Sequence, residues 1–259
     1  MTLVGVGVGC GLTAAGAAAG GADLLACYST AIYRAKGLPS ALAFLPYDDP
    51  NELVRQVLPE VIAVARGLPV FAGVGAHDPR RQPDRLVAQM MALGATGVTN
   101  EPFVGIYDGD LRAQLEAAGL GYQKELDLAR AAVNQGAMVL GWAWTPQEAA
   151  AMAATGASHV GLMVGITAGG RLGSEAALSD EQSHDLLAQM NAAVRRENPS
   201  AVTLIHGGPL HSVESVAAAL AASEADGYLG GSSLERVPVI DAMATTVQEF
   251  KNINLKEEQ

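Results

Sequence analysis

Cysteine is nearly absent: Cys10 and Cys27 are the only two in 259 residues. That excludes a disulfide framework and leaves no cysteine pair at metal-binding spacing. Both lie in apolar sequence, where a free thiol behaves as a small hydrophobe, so a reduced, cytoplasmic protein is expected. Charge is also scarce, at 17%, and it is one-sided: 16 Lys and Arg against 27 Asp and Glu, net −11. Such a surface repels a phosphate backbone, which excludes nucleic acid as a general partner. Residues 1–22 carry no charged side chain, but seven glycines interrupt them and no basic segment leads them. They fit neither a signal peptide nor a membrane span, and no membrane association is expected. The sequence lacks G-x-x-x-x-G-K-[ST], G-x-S-x-G and H-E-x-x-H, so three common catalytic signatures are missing. Disorder is excluded by the 49% hydrophobic content.

What the chain does have is alternation. Apolar runs of strand length are each followed by a helical stretch. The strands are expected at Leu3–Val8, Asp23–Tyr28, Pro69–Val74, Ala95–Thr99, Ala137–Trp142, His159–Val164, Ala201–Ile205 and Gly227–Leu229. Helices are expected at Thr13–Ala19, Glu52–Ala65, Asp84–Leu93, Leu111–Asn134, Pro146–Ala154, Asp180–Arg196, Val213–Ala222 and Val239–Phe250. Gly119 and Gly121 should break the fourth helical stretch, because each interior glycine costs about 1 kcal/mol. Thr145 reads as an N-cap with Pro146 at the first helical position. Ser29–Pro50 reads as a long polar connection, and Lys251–Gln259 as a fraying tail.

Strands apolar on both faces, each followed by a helix, make a parallel sheet. Eight such units in about 250 residues make an α/β TIM barrel, here a single domain over residues 1–259. The rival is an open dinucleotide-binding sheet. Its fingerprint fails: Gly7 and Gly9 are followed by Leu12 where the third glycine belongs, and no acid ends the second strand.

In a barrel, chemistry sits on the loops after the strands. After strand 7 comes His206-Gly207-Gly208-Pro209, and after strand 8 comes Gly231-Ser232-Ser233. Those two loops commonly hold an anion, with glycines admitting backbone N–H groups and serines adding donors. Phosphate and carboxylate both fit that chemistry. Tyr28 and Arg34 follow strand 2, and Arg34 can pair with a substrate carboxylate. Asp78 follows strand 3 as a base, a metal ligand or a simple N-cap. Asn100 and Glu101 follow strand 4, as an oxyanion donor and a second candidate base, with a surface acid as the plain alternative for Glu101. His206 ends an apolar strand at the catalytic face. Trp142 and Trp144 end strand 5 as pocket wall or core, and Thr167–Gly170 has the composition of a lid.

Together these residues resemble the phosphoenolpyruvate hydrolase-like family of barrels, which includes the carboxy-terminal barrel of a plant tobamovirus-resistance protein. The likeness runs through Gly20-Gly21-Ala22-Asp23-Leu24, Asp78-Pro79, Asn100-x-Pro102, Asp108-Gly109 and Gly119-Leu120-Gly121-Tyr122. It is strongest at His206-Gly207-Gly208-Pro209 and over Ser232–Val239. The resemblance implies a homo-oligomeric barrel, related in architecture to the phosphoenolpyruvate mutase and isocitrate lyase enzymes. It further implies a hydrolase or lyase that cleaves a C–C, C–O or P–O bond of a small oxo-carboxylate or enol phosphate. Those enzymes use Mg2+, but their acid-rich magnesium loop is not visible here; Asp78, Glu101 and His206 are the residues that could converge on a cation. The sequence departs from the family pattern at Ser29–Ile32 and at Glu101, both at the expected mouth, which suggests a different substrate. The alternative is a barrel that has lost catalysis and binds a ligand or a protein.

Overall fold

Eight parallel strands close on themselves in chain order in a computed structural model that describes residues 2–167 and 178–253. They are β1 Leu3–Val8, β2 Leu24–Cys27, β3 Val70–Gly73, β4 Gly97–Thr99, β5 Met138–Ala143, β6 His159–Met163, β7 Val202–His206 and β8 Gly227–Gly230. Leu3 pairs with Gly227, which seals β1 to β8. The expected barrel is therefore the observed one, with strand ends moved by one or two residues.

The pleat explains the composition. Outward residues such as Val6, Val8, Leu25, Val70, Val98, Val139, Val160 and Ile205 pack under the helices. Inward residues such as Leu24, Phe71, Leu140, Leu204 and Leu229 fill the barrel axis. Large inward rings need empty positions opposite them. A Cβ on Gly161 would stand 2.1 Å from the Trp142 ring, and one on Gly7 would stand 2.0 Å from the Tyr28 hydroxyl.

Among the described residues, ten helices surround or leave the barrel: α1 Gly11–Ala19, α2 Ser29–Ala35, α3 Pro50–Val64, α4 Pro83–Ala92, α5 Gly109–Ala117, α6 Gln123–Asn134, α7 Pro146–Ala153, α8 Asp180–Glu197, α9 Val213–Ser223 and α10 Arg236–Lys251. Four of them, α3, α7, α8 and α9, start on side-chain caps to orphan N–H groups. The Thr145 hydroxyl accepts from Glu148 N, and Ser179 with Gln182 forms a capping box. The Asp49 carboxylate accepts from Asn51 N and Glu52 N. Gly119 and Gly121 do separate α5 from α6.

Two expectations need correction. Ser29–Pro50 is not simply a connection: it holds α2 and a 3-10 turn, Ser40–Phe44. The last helix begins at Arg236, three residues before Val239. The suggested lid at Thr167–Gly170 lies outside the described residues beyond Thr167, as does most of the tail. Cys27 is a buried free thiol, which burial pushes above its ordinary pKa range, and Cys10 is free and half-buried. Among the described residues, no helix is long and apolar enough to cross a membrane.

Candidate active site

The mouth at the carboxyl ends of the strands holds a small cavity of about 50 Å3. That suits a small ligand and is too tight for a dinucleotide. Tyr28, Arg34, Glu101, His206, Gly231 and Ser232 all line it, so six of the residues singled out in the sequence meet in one place. Phe44, Phe103, Trp142, Trp144 and Met163 add an apolar wall.

Among the described residues lining the cavity, Arg34 is the cation. It stands on α2, with its side chain only 4% exposed. Its Nε donates to Glu235 Oε2 at 2.9 Å, and its Nη2 donates to the Gly7 carbonyl at 3.3 Å. The guanidinium lies 5.8 Å from the centre of the Tyr28 ring. Glu235 is held in turn, accepting from Gly9 N at 2.6 Å and from the Thr13 hydroxyl at 2.8 Å. A buried cation fixed this way keeps its orientation without ligand, which is the preorganisation that anion binding needs. Its Nη1 faces the cavity: a Cβ on Gly231 would lie 3.5 Å from it and 3.3 Å from His206 Cε1. Arg34, His206 and Gly231 therefore enclose one space.

His206, the last residue of β7, meets the Leu229 carbonyl at 2.5 Å through Nδ1. A carbonyl only accepts, so the proton sits on Nδ1 and Nε2 presents a lone pair. Burial pulls the pKa down to about 4; the Leu229 bond opposes this, and the Arg34 charge adds to it. The imidazole is thus neutral at neutral pH. Its ring packs 5.1 Å from that of Trp142. Burial raises the Tyr28 pKa to about 12, against the pull of Arg34, so the phenol keeps its proton.

Other expected residues have different employment. Glu101 lines the cavity, but its Oε2 accepts from Ser29 N and Ser29 Oγ, each at 2.9 Å, and its Oε1 accepts from Thr30 N at 3.1 Å. It caps α2, whose own N-cap residue, Tyr28, offers no cap. Burial raises its pKa against those bonds. A carboxylate with both oxygens occupied is a poor base, and its position explains how α2, and so Arg34, is fixed. Asn100 does not reach the cavity. Its Oδ1 accepts from Trp142 N at 2.7 Å, while its Nδ2 donates to Glu125 and to the Trp142 carbonyl. It ties β4 to β5 beneath the mouth. Asp78 sits outside the cavity, in a cluster with Asn51, Arg80 and Arg81. Burial raises its pKa, but the Arg80 N–H and the Arg81 guanidinium outweigh that and hold it below the ordinary carboxylate value. Such a group does not take up a proton near neutral pH.

The two glycine loops divide as well. Gly231 and Ser232 face the cavity, whereas Gly207 and Gly208 form a left-handed turn against β6, at φ 86° and 54°. The Gly208 N–H is spent on the Gly165 carbonyl at 3.1 Å. Ser233 turns the other way and bonds the Tyr228 hydroxyl at 2.6 Å. The positive charge facing the cavity comes from Arg34, and the Gly207-Gly208 turn does not form a cradle there.

A magnesium site does not fit these residues. Among those described, no three His, Cys, Asp or Glu side chains gather to hold a metal ion. Mg2+ takes oxygen donors, and the oxygens of Glu101, the one carboxylate in the cavity lining, are held by α2.

The fold is that of a TIM barrel, with a small cavity at the carboxyl ends of its strands. The profile of the phosphoenolpyruvate hydrolase-like family matches residues 1–253, and the chain belongs to that family. It is 37% identical over 255 residues to the ToMV susceptible protein tm-1(GCR26) of Solanum lycopersicum, covering 98% of this chain and 34% of that protein. The ToMV resistance protein Tm-1(GCR237) of the same plant matches with the same identity and coverage. The chain thus spans about a third of the length of these relatives. Among solved structures, it resembles a phosphoenolpyruvate phosphomutase from Streptomyces platensis subsp. rosaceus, with TM-score 0.62, 18% identity, and 98% and 83% of the two chains covered. A 2,3-dimethylmalate lyase matches at TM-score 0.59 and 16% identity, over 100% of this chain and 85% of that one. At these identities the likeness is one of fold.

Glu235, which holds Arg34, is the residue of this arrangement that the sequence alone did not place at the mouth. Its signal was a single cation near a predicted mouth, which needs a buried carboxylate to hold it.

Proposed function

We propose that this barrel is an enzyme that cleaves a C–C, C–O or P–O bond of a small oxo-carboxylate or enol phosphate. One observation carries the reading: a buried, prefixed Arg34 faces an unprotonated His206 across a small cavity with an apolar wall. The substrate's anionic group would lie against Arg34 Nη1 and Ser232. His206 Nε2 would accept a proton from a substrate hydroxyl or from water. Arg34 and the Tyr28 phenol would offset negative charge developing on an enolate or oxyanion. The phosphomutase and lyase of similar fold act beside small carboxylates by their names, which agrees with this class without selecting a reaction.

A second reading, a barrel that binds without catalysis, draws support from the occupied state of Glu101 and Asn100. A thermal-shift screen of the full chain with oxo acids, enol phosphates and phosphate, each with and without magnesium, tests both. Binding to the folded state raises the melting temperature by mass action. Enzyme action predicts a shift with an oxo acid or enol phosphate, turnover of that compound, and loss of turnover in His206→Ala with the shift retained. A shift without turnover favours the binding barrel. No shift, together with no turnover of any compound, overturns the small-ligand site.

A further inference from the structure

The cavity has two chemically different ends. Arg34, Ser232 and His206 make the polar one. From there a series of rings leads away. The His206 ring lies 5.1 Å from that of Trp142, which lies 6.5 Å from Phe103. Phe103 in turn lies 5.2 Å from Phe44 and 5.4 Å from Trp144. Ile106, Met163 and Ile166 complete this wall. Its polar atoms are already taken. Trp142 N donates to Asn100 Oδ1, and the Trp142 carbonyl accepts from Asn100 Nδ2 and from the Tyr122 hydroxyl. Trp144 N donates to Glu148 Oε2, and the Phe44 carbonyl accepts from the Tyr107 hydroxyl. The indole Nε1 atoms of both tryptophans are buried away from solvent. An anionic group on this wall would shed its water and meet no cation among the described lining residues. An alkyl group would gain from the same burial.

We propose that the cavity selects a singly charged 2-oxo acid with a short aliphatic tail, its carboxylate on Arg34 and its tail on the aromatic wall. A dicarboxylate or an enol phosphate would place its second anionic group on that wall instead. The proposal rests on the oxo-acid reading of this site and narrows it. The tail is short because about 50 Å3 holds only about four water-sized groups, at about 10–15 Å3 each. Phe44 sets the tail's length. It stands half-buried on the Ser40–Phe44 turn, at the far end of the ring series from His206.

The test is calorimetric titration of the full chain with pyruvate, 2-oxobutanoate, 3-methyl-2-oxobutanoate, 4-methyl-2-oxopentanoate, oxaloacetate and phosphoenolpyruvate. Affinity is expected to rise about fourfold per added carbon from pyruvate to 3-methyl-2-oxobutanoate, and to fall at the longer 4-methyl-2-oxopentanoate. Each rise should bring a more negative heat-capacity change, the mark of apolar burial. Oxaloacetate and phosphoenolpyruvate are expected to bind about tenfold more weakly than 2-oxobutanoate, or worse. Phe44→Ala is expected to move the optimum to 4-methyl-2-oxopentanoate. Tighter binding of oxaloacetate or phosphoenolpyruvate overturns the proposal and leaves the oxo-acid site standing, as does equal affinity along the singly charged series. Binding of none of these compounds overturns both. The series on the unaltered chain decides the matter even where Phe44→Ala fails to fold; in a folded variant, an unmoved optimum removes Phe44 as the gauge of length.

Discussion

Glu235→Ala should be among the most damaging single substitutions in this protein. The carboxylate accepts three hydrogen bonds, from Gly9 N, the Thr13 hydroxyl and Arg34 Nε, at 2.6, 2.8 and 2.9 Å. The ion pair's side chains are 4% and 2% exposed, so solvent does not screen it. Removing one member of a buried pair costs about 3–5 kcal/mol, mostly because the remaining charge is left uncompensated. Loss of the Gly9 and Thr13 bonds places the expectation at the upper end. In a chain of this size each kcal/mol lowers Tm by about 2–4 °C, which gives a fall of roughly 6–20 °C. The assay is thermal and urea unfolding at fixed protein concentration. The informative partner is the double variant Arg34→Met with Glu235→Met. It leaves no unpaired ion, so it should recover most of the lost stability while losing anion binding. A cost below about 1 kcal/mol for Glu235→Ala, or a double variant as unstable as the two single losses added, would refute the reasoning.

His206 sets a pH dependence. Its folded pKa of about 4 lies below the ordinary histidine value near 6.5, so the unfolded chain binds the proton more readily. Its contribution to stability is full above about pH 6.5 and is lost as pH falls toward 4; urea midpoints at pH 7 and pH 5 should converge more in His206→Asn than in the parent protein. Glu101→Gln should cost about 1–3 kcal/mol through the weakened cap on α2, with turnover falling less than tenfold; a thousandfold loss of kcat at unchanged stability would restore Glu101 as the base. Gly231→Ala places a methyl 3.3 Å from His206 and 3.5 Å from Arg34, so ligand-induced shifts in Tm should vanish while the unliganded Tm moves by no more than a few degrees. Retained shifts would mean that the ligand sits elsewhere.

The barrel was legible in the sequence because its signal is local. Each strand is a short apolar run, and some of the surrounding helices carry their own start signal, as Thr145-Pro146 and Ser179 do. α2 was not legible for the opposite reason. It is seven residues long, Ser29–Arg34 are all buried, and it starts after Tyr28, which cannot cap it. Its cap is Glu101, 72 residues away from Ser29. Without that carboxylate in view, Ser29–Ala35 looks like loop. The same logic divides the site. Tyr28, Arg34, His206 and Ser232 could be found from position alone, because residues just beyond strand ends reach the mouth. Which acid serves which purpose could not be found that way. Asp78, Glu101 and Glu235 are all acids near the mouth end of the barrel, and composition does not rank them. Only their partners do: Arg81 takes Asp78, the N–H groups of α2 take Glu101, and Arg34 takes Glu235 across a separation of 201 residues. Every carboxylate expected to act as a base is thus bound to a group that fixes structure, and among the described residues lining the cavity Arg34 is the cation and His206 a neutral imidazole. With the Tyr28 and Ser232 hydroxyls beside them, these groups suit a mouth that holds an anion and receives a proton.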